Sequence, residues 1–194
     1  MNFLKRTYNW TLEKAQHKNA KWYLSLISFA ESSFFPIPPD ILLIPMALAS
    51  KAKALFYAFI CTLFSVLGGI LGYAIGYFFF NSVGIYIVEF YHLENSFSVF
   101  EDYYREFGIL IVLGAGITPF PYKFITIASG VFGLNIFLFI IVSIIGRGLR
   151  FYLIAILLYF FGEKIKLIID KYFNILTIVF FILLVGSVFI IRFL

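Results

Sequence analysis

Five ionisable residues stand where charge is expensive: Glu31, Asp40, Lys123, Arg147 and Arg150 all fall inside apolar stretches of a 194-residue chain. Each would cost about 2.5–3.5 kcal/mol at the centre of a membrane helix, so the five cannot all face lipid. They must face each other or water. Arg147 and Arg150, one helical turn apart, are forked donors suited to a phosphate, and Lys123 adds a point charge. Glu31 and Asp40 are the groups able to take up and release a proton. With both acids ionised the set sums to +1, which favours an anionic ligand group. A structural alternative stays open, in which Glu31 or Asp40 locks Arg147 or Lys123, Lys123 snorkels to an interface, and Arg150 is the member read most readily as structural.

The elements that must position these residues are five apolar stretches: Trp22 to Ser50, Leu55 to Phe80, Ile109 to Leu134, Ile136 to Phe161, and Phe173 to Leu194. The second, fourth and fifth carry no proline and can run as continuous transmembrane helices. The first and third are interrupted by Pro36-Ile37-Pro38-Pro39 and by Pro119-Phe120-Pro121. Proline removes a backbone donor and clashes with the preceding turn, so such clusters end a helix rather than bend it. Non-helical backbone at membrane depth is tolerated only inside protein or beside a wet cavity, which makes both segments candidate re-entrant hairpins.

The two hairpins look like copies. Superposing Pro36 on Pro119 also places Pro38 on Pro121, Asp40 on Lys123 and Ala47 on Gly130, and each copy is followed by a long apolar segment carrying small residues. With the N-terminus inside and both hairpins returning to the face they entered from, Lys51, Lys53, Lys164, Lys166 and Lys171 join the basic N-terminus inside. Arg105 and Arg192 remain outside, a positive-inside asymmetry. The copies then have opposite topology, and broken inverted repeats meeting at the midplane are a transporter's architecture. Residues 1–21 read as an amphipathic helix at the cytoplasmic interface, 22–80 as the first repeat, 81–108 as an external amphipathic segment, 109–162 as the second repeat, and 163–194 as a C-terminal transmembrane helix. The expected fold is an all-α integral membrane protein built on an inverted repeat of two Pro-broken hairpins.

Composition excludes other classes. With 62% hydrophobic and only 13% charged residues, the chain does not read as a soluble enzyme. The +5 net charge is better explained by cytoplasmic lysines than by nucleic acid. Cys61 is the only cysteine, His17 and His92 are far apart, and no Walker glycine loop or His-Glu-x-x-His occurs, so neither a metal nor another cofactor is expected.

The run Glu31-Ser-Ser-Phe-Phe-Pro-Ile-Pro-Pro-Asp40, with Gly-Gly-Ile-Leu-Gly-Tyr from Gly68, Thr118-Pro-Phe-Pro-Tyr-Lys123 and Gly146-Arg-Gly-Leu-Arg-Phe, resembles the DedA family (VTT domain, SNARE-associated) in its YqaA-like branch. The resemblance spans Trp22 to Gly162. It implies a multi-pass protein of the bacterial inner membrane, with opposed re-entrant helices, moving lipids such as polyprenyl phosphates or phospholipids between leaflets, often with proton coupling. The functional acids correspond to Glu31 and Asp40. The family commonly has two arginines around the second proline break; here Lys123 fills the later position, the earlier falls near Gly116 or Ile117, and Arg147 and Arg150 are expected to compensate. The expectation is therefore a lipid translocase with Lys123, Arg147 and Arg150 on the lipid phosphate and protons on Glu31 or Asp40. A proton-coupled ion exchanger and a non-transporting envelope scaffold are the alternatives, and self-association is left open.

Overall fold

The computed structural model describes residues 19–162 apart from Pro36, Tyr91, Leu93 and Pro119, together with Lys164. The expected interfacial helix up to Lys18, the expected C-terminal helix beyond Lys164, and the leading prolines of the two breaks, Pro36 and Pro119, lie outside the described residues. Every regular element among the described residues is helical. In order they are α1 (Ala20–Ser33), α2 (Asp40–Ala49), α3 (Ala54–Phe79), α4 (Ile85–Phe90), α5 (Glu94–Ile117), α6 (Tyr122–Val131) and α7 (Ile136–Gly162). A single 3-10 turn at Lys51–Lys53 leads into α3, and a π turn at Phe80–Gly84 joins α3 to α4.

Two segments, Lys51–Phe79 and Ile136–Gly162, are long and apolar enough to cross a bilayer. They run antiparallel. Gly162 at the end of α7 packs beside Lys51, while the Tyr73 hydroxyl near the other end of α3 donates to the Leu134 carbonyl just before α7, at 2.6 Å. Their side chains are distributed inside out: Leu63, Leu67 and Leu71 of α3 and Ile141, Leu149 and Leu153 of α7 are exposed, whereas α3 buries Ala58, Cys61, Ser65 and its glycines. Small residues on the inner face let neighbouring backbones approach closely. A Cβ on Gly68 would run into the Phe29 carbonyl of α1, and one on Gly76 into the Ile127 carbonyl of α6.

Four of the remaining helices, α1 with α2 and α5 with α6, form two hairpins that enter from opposite ends of this pair. Ala20 and Leu24 of α1 and Leu43, Met46 and Ala47 of α2 share one apolar core with Ala54, Ala58 and Leu158, so both arms of the first hairpin lie at the Lys51 end. Its tip reaches only halfway along α3, where the Ser33 hydroxyl donates to the Gly68 carbonyl at 2.8 Å. The second hairpin starts at the other end, with Phe97 of α5 stacked on Phe80 at 4.7 Å. Its tip also lies midway, where Gly116 packs on Gly146 of α7. α6 then returns along α3 to Phe132, which lies 5.2 Å from Phe97.

Local chemistry explains the ends. After α6 the chain reverses at Gly133, whose φ of +63° suits glycine, and the Leu134 N–H closes the turn on the Ser129 carbonyl. Asn135 then caps α7, its Oδ1 accepting from the Phe137 and Leu138 amides. α5 runs without interruption from Glu94 to Ile117, so the acidic segment up to Gly108 and the first half of the following apolar stretch form one helix.

Candidate functional site

The tips of the two hairpins meet in a polar layer between two apolar cores. One core is the Lys51-end cluster; the other contains Val112, Ala115, Tyr122, Phe139 and Val142. The hairpins touch directly, the Thr126 hydroxyl of α6 donating to the Ser32 carbonyl of α1 at 2.9 Å.

Arg147 fills the centre of this layer and is 1% exposed. Its Nη2 donates to Glu31 Oε2 at 2.5 Å and its Nε to Ser65 Oγ at 2.6 Å. The guanidinium also lies against the rings of Tyr122 (4.9 Å) and Phe151 (4.7 Å), and the Tyr122 hydroxyl is held by Ser143 at 2.5 Å. Ser32 donates to Glu31 Oε2 at 3.1 Å and lies 2.6 Å from Ser65. Because a hydroxyl has one proton and Ser32 uses its own on Glu31, the Ser65 proton goes to Ser32. Arg147 thus ties α1, α3, α6 and α7 around one charge pair, and the aromatic faces compensate the guanidinium where water is absent.

Arg150, one turn later, bridges the two breaks. Its Nη2 pairs with Asp40 Oδ2 at the start of α2, and its Nη1 donates to the Thr118 carbonyl at 2.6 Å, immediately before the second break. This pair is less enclosed, with side chains 15% and 17% exposed. Asp40 Oδ1 is buried without a hydrogen-bond partner among the described residues. At the breaks themselves, the Pro38 and Pro39 carbonyls accept from the first amides of α2, and the Pro121 carbonyl from Phe124 of α6.

The structure therefore brings together four of the five charges singled out in the sequence, as two neutral pairs. Lys123 stands off. Its ammonium lies over the Phe124 ring at 5.4 Å, and among the described residues no carboxylate is within ion-pair distance of it. The assembled cluster sums to zero rather than +1, because the unpaired cation is not part of it. Arg147 is the enclosed one of the two arginines, and Arg150 the more accessible. Ser32, Ser65, Tyr122 and the Thr118 carbonyl were not singled out as partners. Their signal is the donor count of a buried guanidinium, which demands several acceptors.

Away from this layer, the Tyr104 hydroxyl bonds Ser129 Oγ at 2.8 Å, and burial pushes its phenol up to about 12 although that bond opposes the shift. Tyr104 is therefore a neutral donor at physiological pH.

Two relatives cover most of the chain. An uncharacterized protein of Haemophilus influenzae is 39% identical over 157 residues, 81% of each chain. A protein of Histophilus somni named "Uncharacterized protein HI0703 homolog" is 36% identical over 160 residues, 81% of this chain and 82% of its own length. No family model matches the chain, and no solved structure matches it.

Proposed function

The chain belongs to the family that contains these Haemophilus influenzae and Histophilus somni proteins, and we propose that it is a membrane lipid translocase that moves a phosphate-bearing lipid between leaflets. The observation that carries this reading is the pair of charge-matched arginines at the meeting point of two proline-broken hairpins. A membrane setting is supported by the inside-out distribution of side chains on α3 and α7, which exposes large apolar groups that water would penalise. Re-entry is supported by each hairpin's two arms lying at one end of the long helices, with its tip halfway along them. Opposed entry of two such hairpins fits inverted repeats, and Lys51, Lys53 and Lys164 support a cytoplasmic Lys51 end in a bacterial inner membrane. The motif resemblance to the DedA family points the same way.

The two arginines divide the work. Arg147, held by Glu31 and Ser65 and enclosed by the Tyr122 and Phe151 rings, anchors the layer. Arg150 is the moving contact: a proton on Asp40 neutralises that carboxylate, frees the guanidinium, and lets a lipid phosphate take its place. Loss of the phosphate and of the proton restores the pair, so no uncompensated charge crosses the apolar region. Lys123, whose ammonium rests on the Phe124 ring outside the paired cluster, becomes the second phosphate contact when its flexible stem swings towards Arg150.

Leaflet-resolved transfer of a labelled polyprenyl phosphate or phospholipid in proteoliposomes tests this function. The reading expects transfer well above that of empty vesicles and its loss in a Glu31→Gln plus Arg147→Ala variant. Equal rates in empty vesicles defeat it.

A further inference from the structure

At the end of the molecule opposite Lys51, a groove of about 520 Å³ opens between the last turns of α3, the middle of α5 and the α6–α7 turn. It takes no part in the polar layer. Its lining combines donors, a carboxylate and aromatic rings. Arg105 and Asn135 supply the donors: the Asn135 Oδ1 is committed to the α7 amides, so its Nδ2 is the group left to donate. The first turn of α7 adds the positive end of a long helix. Glu101 lines the same groove with Tyr77, Phe80 and Phe132, a carboxylate and rings of the kind that take an ammonium ion.

Glu101 and Arg105 currently pair with each other at 2.7 Å, one turn apart, with the arginine side chain 72% exposed. Such a pair contributes little in solvent and opens readily for a ligand that satisfies both charges. A ligand carrying an anion and an ammonium a few ångströms apart does so without leaving either residue unpaired. We propose that this groove binds the headgroup of an outer-leaflet phospholipid bearing a primary amine, with the phosphate on Arg105 and Asn135 and the ammonium on Glu101 and the rings. The proposal rests on the membrane reading above, which places this end of α3 at the outer interface. It goes beyond that reading by giving the protein a second lipid site with a headgroup preference. The exposed apolar side chains of α3 beside Tyr77, among them Phe78 and Phe79, provide the surface along which the acyl chains descend.

Native mass spectrometry of the full chain, extracted in detergent and titrated with phosphatidylethanolamine or phosphatidylglycerol of matched acyl chains, tests it. The expected result is about fivefold tighter retention of phosphatidylethanolamine, reduced to the phosphatidylglycerol level by Glu101→Gln. Arg105→Gln weakens both lipids, and neither substitution shifts the unfolding midpoint. Equal retention of the two lipids by the unaltered chain, or a preference that survives Glu101→Gln, overturns the proposal. Displacement by soluble phosphoethanolamine at the lipid's own concentration assigns the groove to a soluble zwitterion and overturns it as well. Leaflet transfer is scored separately: headgroup preference without transfer defeats the translocase reading alone, and transfer without preference defeats the groove alone.

Discussion

Arg147 and Glu31, 116 positions apart in the chain, meet at 2.5 Å with the arginine 1% and the glutamate 9% exposed, so that α7 is tied to the last turn of α1 by a charge pair cut off from solvent. Removing one member of such a pair strands the other. Arg147→Met is expected to cost about 3–5 kcal/mol, measured as a lowered unfolding midpoint in detergent. Adding Glu31→Gln to that variant should recover part of the loss, because the second substitution removes the stranded carboxylate. Strictly additive losses in this double-mutant cycle are the outcome that rejects the pairing.

The close approach of backbones at α3 makes a second expectation. Gly68→Ala and Gly76→Ala each force a Cβ into a facing carbonyl, and a cost of about 1–3 kcal/mol is expected at each. Gly114 of α5 has open space around its would-be Cβ, so Gly114→Ala should be neutral or stabilising by up to about 1 kcal/mol through helix propensity. Thermal unfolding of the three variants in one detergent gives the comparison, and a Gly114→Ala loss as large as that of Gly68→Ala contradicts the packing.

Re-entry makes a third. In a Cys61→Ala background, single cysteines at Lys21 and Lys53 flank the first hairpin and should react with a membrane-impermeant thiol reagent from the same face. A cysteine at Asn135 should react from the other. Lys21→Cys and Lys53→Cys labelling from opposite faces would mean that the Trp22 to Ser50 stretch crosses fully.

Much of this architecture is legible in the residues, for identifiable reasons. Pro38, Pro39 and Pro121 sit at helix boundaries because clustered rings in place of amide hydrogens stop a helix, whereas the lone Pro45 is carried inside α2. Glu31, Asp40, Arg147 and Arg150 stand out because charge in an apolar stretch must be compensated. The partners that compensate it are less legible. Ser25, Ser28 and Thr62 all donate to the carbonyl four residues back, the default for a hydroxyl inside a helix, whereas Ser32 and Ser65 reach across to the charge pair. Residue type does not separate the two behaviours; the crossing of α1 over α3 does. Lys123 shows a similar limit. It occupies the position matching Asp40 in the repeat, yet its four-carbon stem carries the ammonium onto Phe124 instead of into the layer. The continuity of α5 through Gly108 was equally hidden, since composition changes there from acidic to apolar while the helix continues.

In the proposed cycle, Arg150 exchanges Asp40 for a lipid phosphate at the midplane. The measurement that tests it most directly is the pH dependence of leaflet-resolved lipid transfer in proteoliposomes, compared between the unaltered chain, Asp40→Asn and Arg150→Gln. Asp40→Asn, whose side chain carries no charge to release, is expected to transfer lipid at a rate that no longer responds to pH. Arg150→Gln should transfer at least about tenfold more slowly at every pH, the loss of one charge-assisted phosphate contact. Transfer by Arg150→Gln at the unaltered rate, or an unchanged pH response in Asp40→Asn, would contradict it.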